Sequence, residues 1–172
     1  MHRIKRIAMV VTLLIACVGC DQTTKSLARD HLQGHEASSF FGDMFRLEYA
    51  ENPGAFLSIG ASLPHRARIA VFTIGGAVMI GAVLLYAAFA AKASLLQIAA
   101  LSLICGGGIG NLADRVRYDG YVTDFLNLGV GPLRTGIFNM ADVALMAGMA
   151  LLLLLHRRSG PPLDRSIDDR PP

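Results

Sequence analysis

The chain has little of what marks a soluble domain. Only 17% of its 172 residues are charged, against about 25% in ordinary soluble domains, and tryptophan is absent. The net charge of +3 comes from scattered Lys and Arg rather than a basic stripe, so no nucleic-acid partner is predicted. Cys17, Cys20 and Cys105 all lie in apolar runs, and an odd number so placed argues against a disulfide framework. We interpret the three as small apolar residues.

Several kinds of active site lack their sequence signatures. There is no Gly-x-Ser-x-Gly segment, and the cysteines have no partner histidine nearby, which argues against a nucleophilic side chain. The glycine cluster 106–110 closes an apolar run and lacks the Lys-Ser/Thr ending of a phosphate-binding loop, so it indicates close helix packing. No histidine lies near Asp124 or Asp142, and neither a metal nor another cofactor is predicted.

What the chain does have is long apolar runs. Hydrophobic residues make up 53% of it, and the runs approach the roughly 20 residues that a bilayer crossing needs. We predict an all-α membrane protein with four transmembrane helices and a small extracytoplasmic β-rich segment. The expected spans cover about residues 7–28, 69–91, 94–112 and 136–155, and the β-rich segment about 40–60. Residues 1–158 would form one domain, followed by a disordered tail over 159–172.

The first apolar run has two interpretations. Its basic flank and short length resemble a secretory signal, and Leu14-Ile15-Ala16-Cys17 resembles the lipobox of a bacterial lipoprotein. The chain would then itself be a lipoprotein processed at Cys17 or Cys20. If the helix instead continues, Asp21 and Lys25 stand at i and i+4, the favoured orientation for an ion pair. We favour an uncleaved span, because three more spans follow.

Lys and Arg do not fix the orientation by number, since eight fall on each side of the four-span arrangement. The dense basic clusters flanking the first and fourth spans favour cytoplasmic termini, because residues near span ends dominate orientation. The β-rich segment, Asp124 and the start of the fourth span would then face outward.

Local patterns place polar residues on shared faces. Phe45–Tyr49 alternates as a half-buried strand does, and Asn52-Pro53-Gly54 predicts a turn. An extended 122–128 segment puts Asp124 on one face with apolar neighbours. In the third span, Asn111, Asp114 and Arg115 share a face if the helix continues. Asn139 and Asp142 likewise share a face, and Asp142 lies about two turns inside the run 136–155.

Two carboxyl groups in apolar company predict one site. A carboxylate near hydrocarbon is costly and marks a functional site by default. Two close carboxyls do not both ionise cheaply, so one keeps a proton while the other acts as a general base. That is aspartic-protease chemistry. Asp124 as a solvated loop acid and Asp142 as a helix N-terminal acid remain alternatives. A different class of function, a small proton-coupled carrier, also remains an alternative, although it predicts an internal repeat of spans and none is visible.

At this point the chain resembles a known family, the bacterial lipoprotein signal peptidases (signal peptidase II). Singly each of its motifs is weak, but five occur in order across the four expected spans. They are Asp21-Gln22-x-x-Lys25, Asn52-x-Gly54-Ala55-Phe56, Gly107 through Gly110-Asn111-x-x-Asp114-Arg115, Val122-x-Asp124-Phe125 and Phe138-Asn139-x-Ala141-Asp142.

The resemblance implies a four-helix bundle with a β-cradle, and Asp124 and Asp142 as its catalytic dyad. It implies cleavage of prolipoproteins before a diacylglyceryl-modified cysteine, at the periplasmic face of the bacterial inner membrane. The expected partners are those substrates and membrane lipids, and a monomer is expected. By the same resemblance the supporting residues are Asn52, Gly54, Asn111, Asp114, Arg115 and Asn139, with Asp21 and Lys25 as a structural pair.

Two features depart from the family pattern. Many members carry a small hydroxyl residue where this chain has Val143. The connection 126–136 is rich in glycine and lacks the tryptophan common there.

Overall fold

Helices dominate the computed structural model, which describes residues 3–55, 59–89 and 93–158. The helices are α1 (Arg3–Leu32), α2 (His65–Arg68), α3 (Gly76–Phe89), α4 (Leu95–Arg117) and α5 (Met140–Arg158). A π-helical stretch, Ile69–Gly75, joins α2 to α3 without a break. The predictions that concern Phe56, the last residues of the span 69–91 and the tail 159–172 lie outside the described residues.

Among the described residues, three helical stretches are long and apolar enough to cross a membrane. They are His65–Ala87, Leu95–Arg117 and Met140–Arg157. The first of them buries almost none of its apolar surface inside the protein, and Val78, Met79 and Leu85 are exposed on it, as expected of side chains that face lipid. Helix α1 covers the first predicted span, about residues 7–28, but is not among these three stretches. That α1 also crosses the membrane, giving four spans in all, therefore stays a prediction.

A small antiparallel sheet stands beside the helices. Its strands are β1 (Ser38–Phe40), β2 (Phe45–Asn52), β3 (Val122–Val130) and β4 (Leu133–Arg134), hydrogen-bonded in that order. The strand predicted from Phe45 is confirmed and continues to Asn52. The glycine-rich connection after residue 126 is a hairpin of β3 and β4, and it turns at Gly131 with a φ of +56°.

Helix α5 begins at Met140, four residues later than the apolar run. Phe138 cannot join the helix because its backbone N–H donates to the Leu126 carbonyl oxygen at 2.9 Å and its own carbonyl accepts from the Leu126 N–H at 2.8 Å. Asp142 is therefore in the first turn of α5 rather than two turns inside it. This places its carboxyl group next to the sheet.

Helix α4 is the centre of the bundle and packs against α1, α3 and α5. Its glycines allow the close approach that the cluster predicted. A methyl group at Gly107 would overlap the carbonyl oxygen of Ala141 on α5, and one at Gly110 would come within 2.5 Å of the Asp21 carboxylate on α1. The helix also continues to Arg117, so Asn111, Asp114 and Arg115 do share one face.

Candidate active site

Asp124 lies near the start of β3 with only 1% of its surface exposed. Its two carboxyl oxygens each accept a hydrogen bond from a neutral amide: Asn52 Nδ2 donates to Oδ2 at 2.9 Å and Asn139 Nδ2 donates to Oδ1 at 2.6 Å. Asn52 reaches it because β2 and β3 pair with Ala50 opposite Asp124. No cation is ion-paired with this carboxyl group among the described residues.

Asp142 is held by the N-terminus of its own helix. Asn139 and Asp142 cap α5 reciprocally: the Asp142 N–H donates to Asn139 Oδ1 at 3.0 Å, and the Asn139 N–H donates to Asp142 Oδ2 at 3.1 Å. The other oxygen, Oδ1, accepts from Asn111 Nδ2 at 2.9 Å. The predicted alternative of a helix N-terminal acid is thus structurally present, but Asp142 is also buried, with 4% exposure.

Asn139 joins the two carboxyl groups into one site. Its side-chain amide nitrogen donates to Asp124, while its backbone N–H donates to Asp142. The same amide nitrogen also lies 3.0 Å from Asn111 Oδ1, and Asn111 in turn donates to Asp142. Asn139 is fully buried. A strand and a helix that are separate in sequence therefore present their carboxyl groups to a shared frame of amides.

A buried lysine stands behind this frame. Lys25 Nζ is 2.9 Å from Asp21 Oδ2 and 3.2 Å from Asp114 Oδ2, and all three side chains have no exposed surface. The i, i+4 ion pair predicted on α1 is confirmed, and both of its side chains make further hydrogen bonds to other helices. Lys25 also donates to Asn111 Oδ1 at 2.9 Å, and Asp21 Oδ1 accepts from the Ala141 N–H at 2.9 Å. These contacts connect α1 to α4 and to the N-terminus of α5.

The charges in the site do not balance. Four carboxyl groups, those of Asp21, Asp114, Asp124 and Asp142, are buried, while Lys25 is the only buried cation among the described residues. Asp21 and Asp114 take up that cation, which leaves the other two with neutral donors. The pKa of Asp124 is raised to about 7, mainly by burial and in smaller part by the Asp142 charge, against the opposing effect of the hydrogen bonds from Asn52 and Asn139. Near neutral pH this carboxyl group therefore holds a proton far more readily than a free aspartic acid does.

Two further predicted residues, Gly54 and Arg115, lie beside Asn52 at the edge of the site. Asn52 Oδ1 accepts from the Gly54 N–H at 2.8 Å, so the predicted turn holds the amide that reaches Asp124. Arg115 Nη2 donates to the Gly54 carbonyl oxygen at 2.8 Å, and its guanidinium lies 5.9 Å from the centre of the Phe72 ring. Its buried Nε has no hydrogen-bond partner among the described residues.

A largely apolar cavity of about 450 Å³ opens from Asp142. Residues of the π-helical stretch, α3, α4 and α5 form its walls, and Asn111, Arg115 and Asp142 supply its polar groups. An apolar cavity with a few convergent polar groups is the usual form of a substrate site. All the predicted site residues thus meet either at the carboxyl groups or directly behind them.

Two residues that hold the site together, Gln22 and Thr123, were not among the predicted site residues, although Gln22 stands in the first of the five motifs. Gln22 Nε2 lies 3.0 Å from Asp114 Oδ1 and 3.1 Å from both Asp21 Oδ2 and the Gly110 carbonyl oxygen. Thr123 donates its N–H to Asp114 Oδ2 at 3.0 Å. Gln22 had a signal, since a polar side chain next to Asp21 in an apolar helix needs a partner. Thr123 contributes through its backbone N–H, and a pattern of side chains in the sequence does not indicate which backbone groups contact a site.

The arrangement by itself defines a class of protein. Among the described residues, no three His, Cys, Asp or Glu side chains are placed to hold a metal ion. The protein is a helical membrane protein with a small antiparallel sheet and a buried pair of carboxyl groups.

Comparison with known proteins gives the family. The sequence profile described as signal peptidase (SPase) II matches residues 13–157, and the chain belongs to this family. It is 37% identical over 155 residues to the lipoprotein signal peptidase of Syntrophotalea carbinolica, covering 90% of this chain and 93% of that one. It is 34% identical over 146 residues to the lipoprotein signal peptidase of Moorella thermoacetica, covering 84% and 88%.

Solved structures share the fold. A bacterial membrane enzyme aligns with a TM-score of 0.78 at 22% identity, covering 96% of this chain and 95% of the other. A second bacterial membrane enzyme aligns with a TM-score of 0.75 at 24% identity, covering 90% and 96%. The membrane location predicted from the apolar runs is supported by the three long apolar helices and by the family.

Proposed function

We propose that this protein is an aspartic endopeptidase that removes the signal peptide from prolipoproteins, cutting before a diacylglyceryl-modified cysteine. The observation that carries the proposal is the pair of buried carboxyl groups, Asp124 and Asp142, which are joined through Asn139 and, within the described residues, hydrogen-bonded only to amide donors. The name of the relatives, lipoprotein signal peptidase, supports the class of substrate.

The two carboxyl groups would divide the work. The raised pKa supports Asp124 as the group that keeps the shared proton, and Asp142, beside the N-terminus of α5, as the ionised one. The ionised carboxylate takes a proton from a water molecule as that water attacks the scissile carbonyl carbon. The protonated carboxyl donates a hydrogen bond to the carbonyl oxygen during this attack. It then gives its proton to the leaving amine nitrogen as the C–N bond breaks.

The cavity beside Asp142 would receive the substrate. Its apolar walls suit the hydrophobic part of a signal peptide or an acyl chain, and its polar groups suit the peptide bond to be cut. Arg115 and Asn111 would bind the substrate together with Asn52, Gly54 and Asn139, while Asp114 supports them. An extended peptide in hydrocarbon needs such partners, because its backbone polar groups have no water to bind.

We place the enzyme in the bacterial inner membrane with α1 as a fourth span. Both termini would be cytoplasmic, since basic clusters flank the first and last helices. The sheet and the two carboxyl groups would then lie near the periplasmic face, where water reaches the site. The enzyme would act as a monomer.

A cleavage assay tests the proposal. Purified full-length protein in detergent is given two prolipoprotein peptides of the same sequence, one with a diacylglyceryl group on its cysteine and one with a free thiol. We expect cleavage immediately before the modified cysteine, identified by the masses of both products, and a kcat/KM at least about tenfold lower for the unmodified peptide. No cleavage of the lipidated peptide, or cleavage at another bond, would overturn the proposal.

The pH profile tests the assignment of the proton. Because the Asp124 carboxyl must be protonated to donate, and its pKa is raised to about 7, we expect kcat/KM to fall about tenfold per pH unit above about pH 7. The two carboxyls titrate as a pair, so the profile reports their joint values. A rate that stays level between pH 7 and pH 9 contradicts the assignment. The melting temperature over the same range serves as the control for unfolding.

A further inference from the structure

A second, polar pocket of about 210 Å³ lies on the other face of β3 from Asp124. Successive side chains of a strand point to opposite faces, so Thr123 lines this pocket while Asp124 faces the active site. The side chains that bear on the argument are Arg29, Tyr49, Glu51, Tyr118, Tyr121 and Thr123. This volume is less than half that of the cavity beside Asp142 and suits a small polar group better than a peptide.

The pocket contains two opposite charges that are not paired. Arg29 Nη1 donates to Thr123 Oγ1 at 2.8 Å, and the other N–H donors of its guanidinium have no protein acceptor among the described residues. Glu51 Oε1 accepts from the Tyr49 hydroxyl at 3.0 Å. Neither charge is ion-paired with the other or with any side chain in the described part of the chain. A ligand that carries both signs would satisfy both groups.

Tyrosines line the pocket, and their positions indicate where it lies relative to the membrane. Three of the four tyrosines in the chain line it, and the Arg29 guanidinium lies 4.8 Å from the centre of the Tyr118 ring. Tyr118 directly follows the candidate span that ends at Arg117, and Arg29 is in the last turn of α1. Tyrosines and basic residues at the ends of spans lie at the level of lipid headgroups.

We propose that this pocket binds a zwitterionic phospholipid headgroup with a phosphate and a primary ammonium, as in phosphatidylethanolamine. Arg29 binds the phosphate through its free donors, since a planar guanidinium fits a phosphate in a bidentate manner. Glu51 accepts hydrogen bonds from the ammonium group, and the tyrosine rings offer it their faces. The acyl chains then lie along the lipid-facing surface of α1 and α4.

A bound headgroup would also help to hold the Asp124 and Asp142 carboxyl groups in position. Thr123 binds Arg29 through its hydroxyl, Asp114 through its N–H, and the Asn139 side chain through its carbonyl oxygen at 3.3 Å. An occupied pocket therefore holds the strand position next to Asp124. This lipid site does not depend on the proposed peptidase reaction, and its test uses binding rather than cleavage.

The test measures how lipids stabilise the full-length protein in detergent. The melting temperature is followed by circular dichroism while phosphatidylethanolamine, phosphatidylcholine or phosphatidylglycerol with identical acyl chains is added. We expect phosphatidylethanolamine to raise the melting temperature by about 5 °C at saturation and the other two to raise it by less than half as much. Arg29→Gln and Glu51→Gln should each remove more than half of that rise. Glu51 is exposed, so its variant keeps the test decisive if Arg29→Gln does not fold.

Arg117→Gln is the matched control, because Arg117 packs on the same Tyr118 ring at 5.5 Å without lining the pocket, and its response to lipid should equal that of the wild type. An equal rise with phosphatidylcholine overturns the contact between the ammonium and Glu51. An equal rise with phosphatidylglycerol that Glu51→Gln leaves unchanged shows an anion site instead. A full rise with inorganic phosphate alone overturns the headgroup assignment, and a wild-type response in both variants overturns the site.

Discussion

Asp124→Asn and Asp142→Asn are each expected to lower kcat for the lipidated peptide by about 10³-fold or more. An amide keeps the size and shape of the carboxyl group but neither accepts a proton from water nor donates one to a leaving amine. In the proposed mechanism the two carboxyl groups act as one unit, so the double variant should be little worse than either single variant. Initial rates on the lipidated peptide give the comparison.

Folding must be followed in the same variants. Each carboxyl accepts two hydrogen bonds from amides, and an asparagine offers one acceptor oxygen, so each change loses about one bond. We expect a loss of about 1–2 kcal/mol in stability. Asp119→Asn is the matched control, because it is the same substitution on a carboxyl that is 82% exposed, and it should leave the rate unchanged. A folded Asp124→Asn or Asp142→Asn variant with near-normal kcat would remove that residue from the mechanism.

Lys25→Met is expected to destabilise the protein by about 3–5 kcal/mol, a fall of about 10 °C in melting temperature. The methionine fills a similar volume but leaves the Asp21 and Asp114 carboxylates buried without their cation. It also removes the donor that holds Asn111, whose amide binds Asp142. Thermal unfolding in detergent measures the loss.

Two comparisons isolate the cause. Lys5→Met makes the same change at an exposed position of α1 and should shift the melting temperature by no more than about 2 °C. Adding Asp21→Asn and Asp114→Asn to Lys25→Met should recover part of the loss, because both buried charges are then removed. If Lys25→Met unfolds at the wild-type temperature, the buried triad does not hold the bundle together.

The sequence predicted local features well where one physical rule governs them. The ion pair of Asp21 and Lys25 follows from helical spacing, and the strand at Phe45 follows from alternation. The start of α5 was wrong by four residues, because apolar character alone does not separate helix from strand. There the pairing of Phe138 with Leu126 prevailed over helix formation.

Long-range contacts were beyond such rules. Spacing showed that Asn111 and Asp114 share a face, but not that Lys25 reaches both from another helix. Nor did it show that Arg29 and Glu51 line one pocket without pairing, since they belong to different elements.

By itself the sequence determined the apolar runs, the order of the five motifs and the two carboxyl groups on which the family resemblance rests. These depend on residue identity and on spacing within one element, which the local geometry of helix and strand converts directly into faces. Only the tertiary structure decided that Asn139 joins Asp124 to Asp142 and that Lys25 is ion-paired with Asp21 and Asp114. The physical reason is that helix packing through Gly107 and Gly110 sets the distances between elements, and with them the neutral donors that surround the two carboxyl groups.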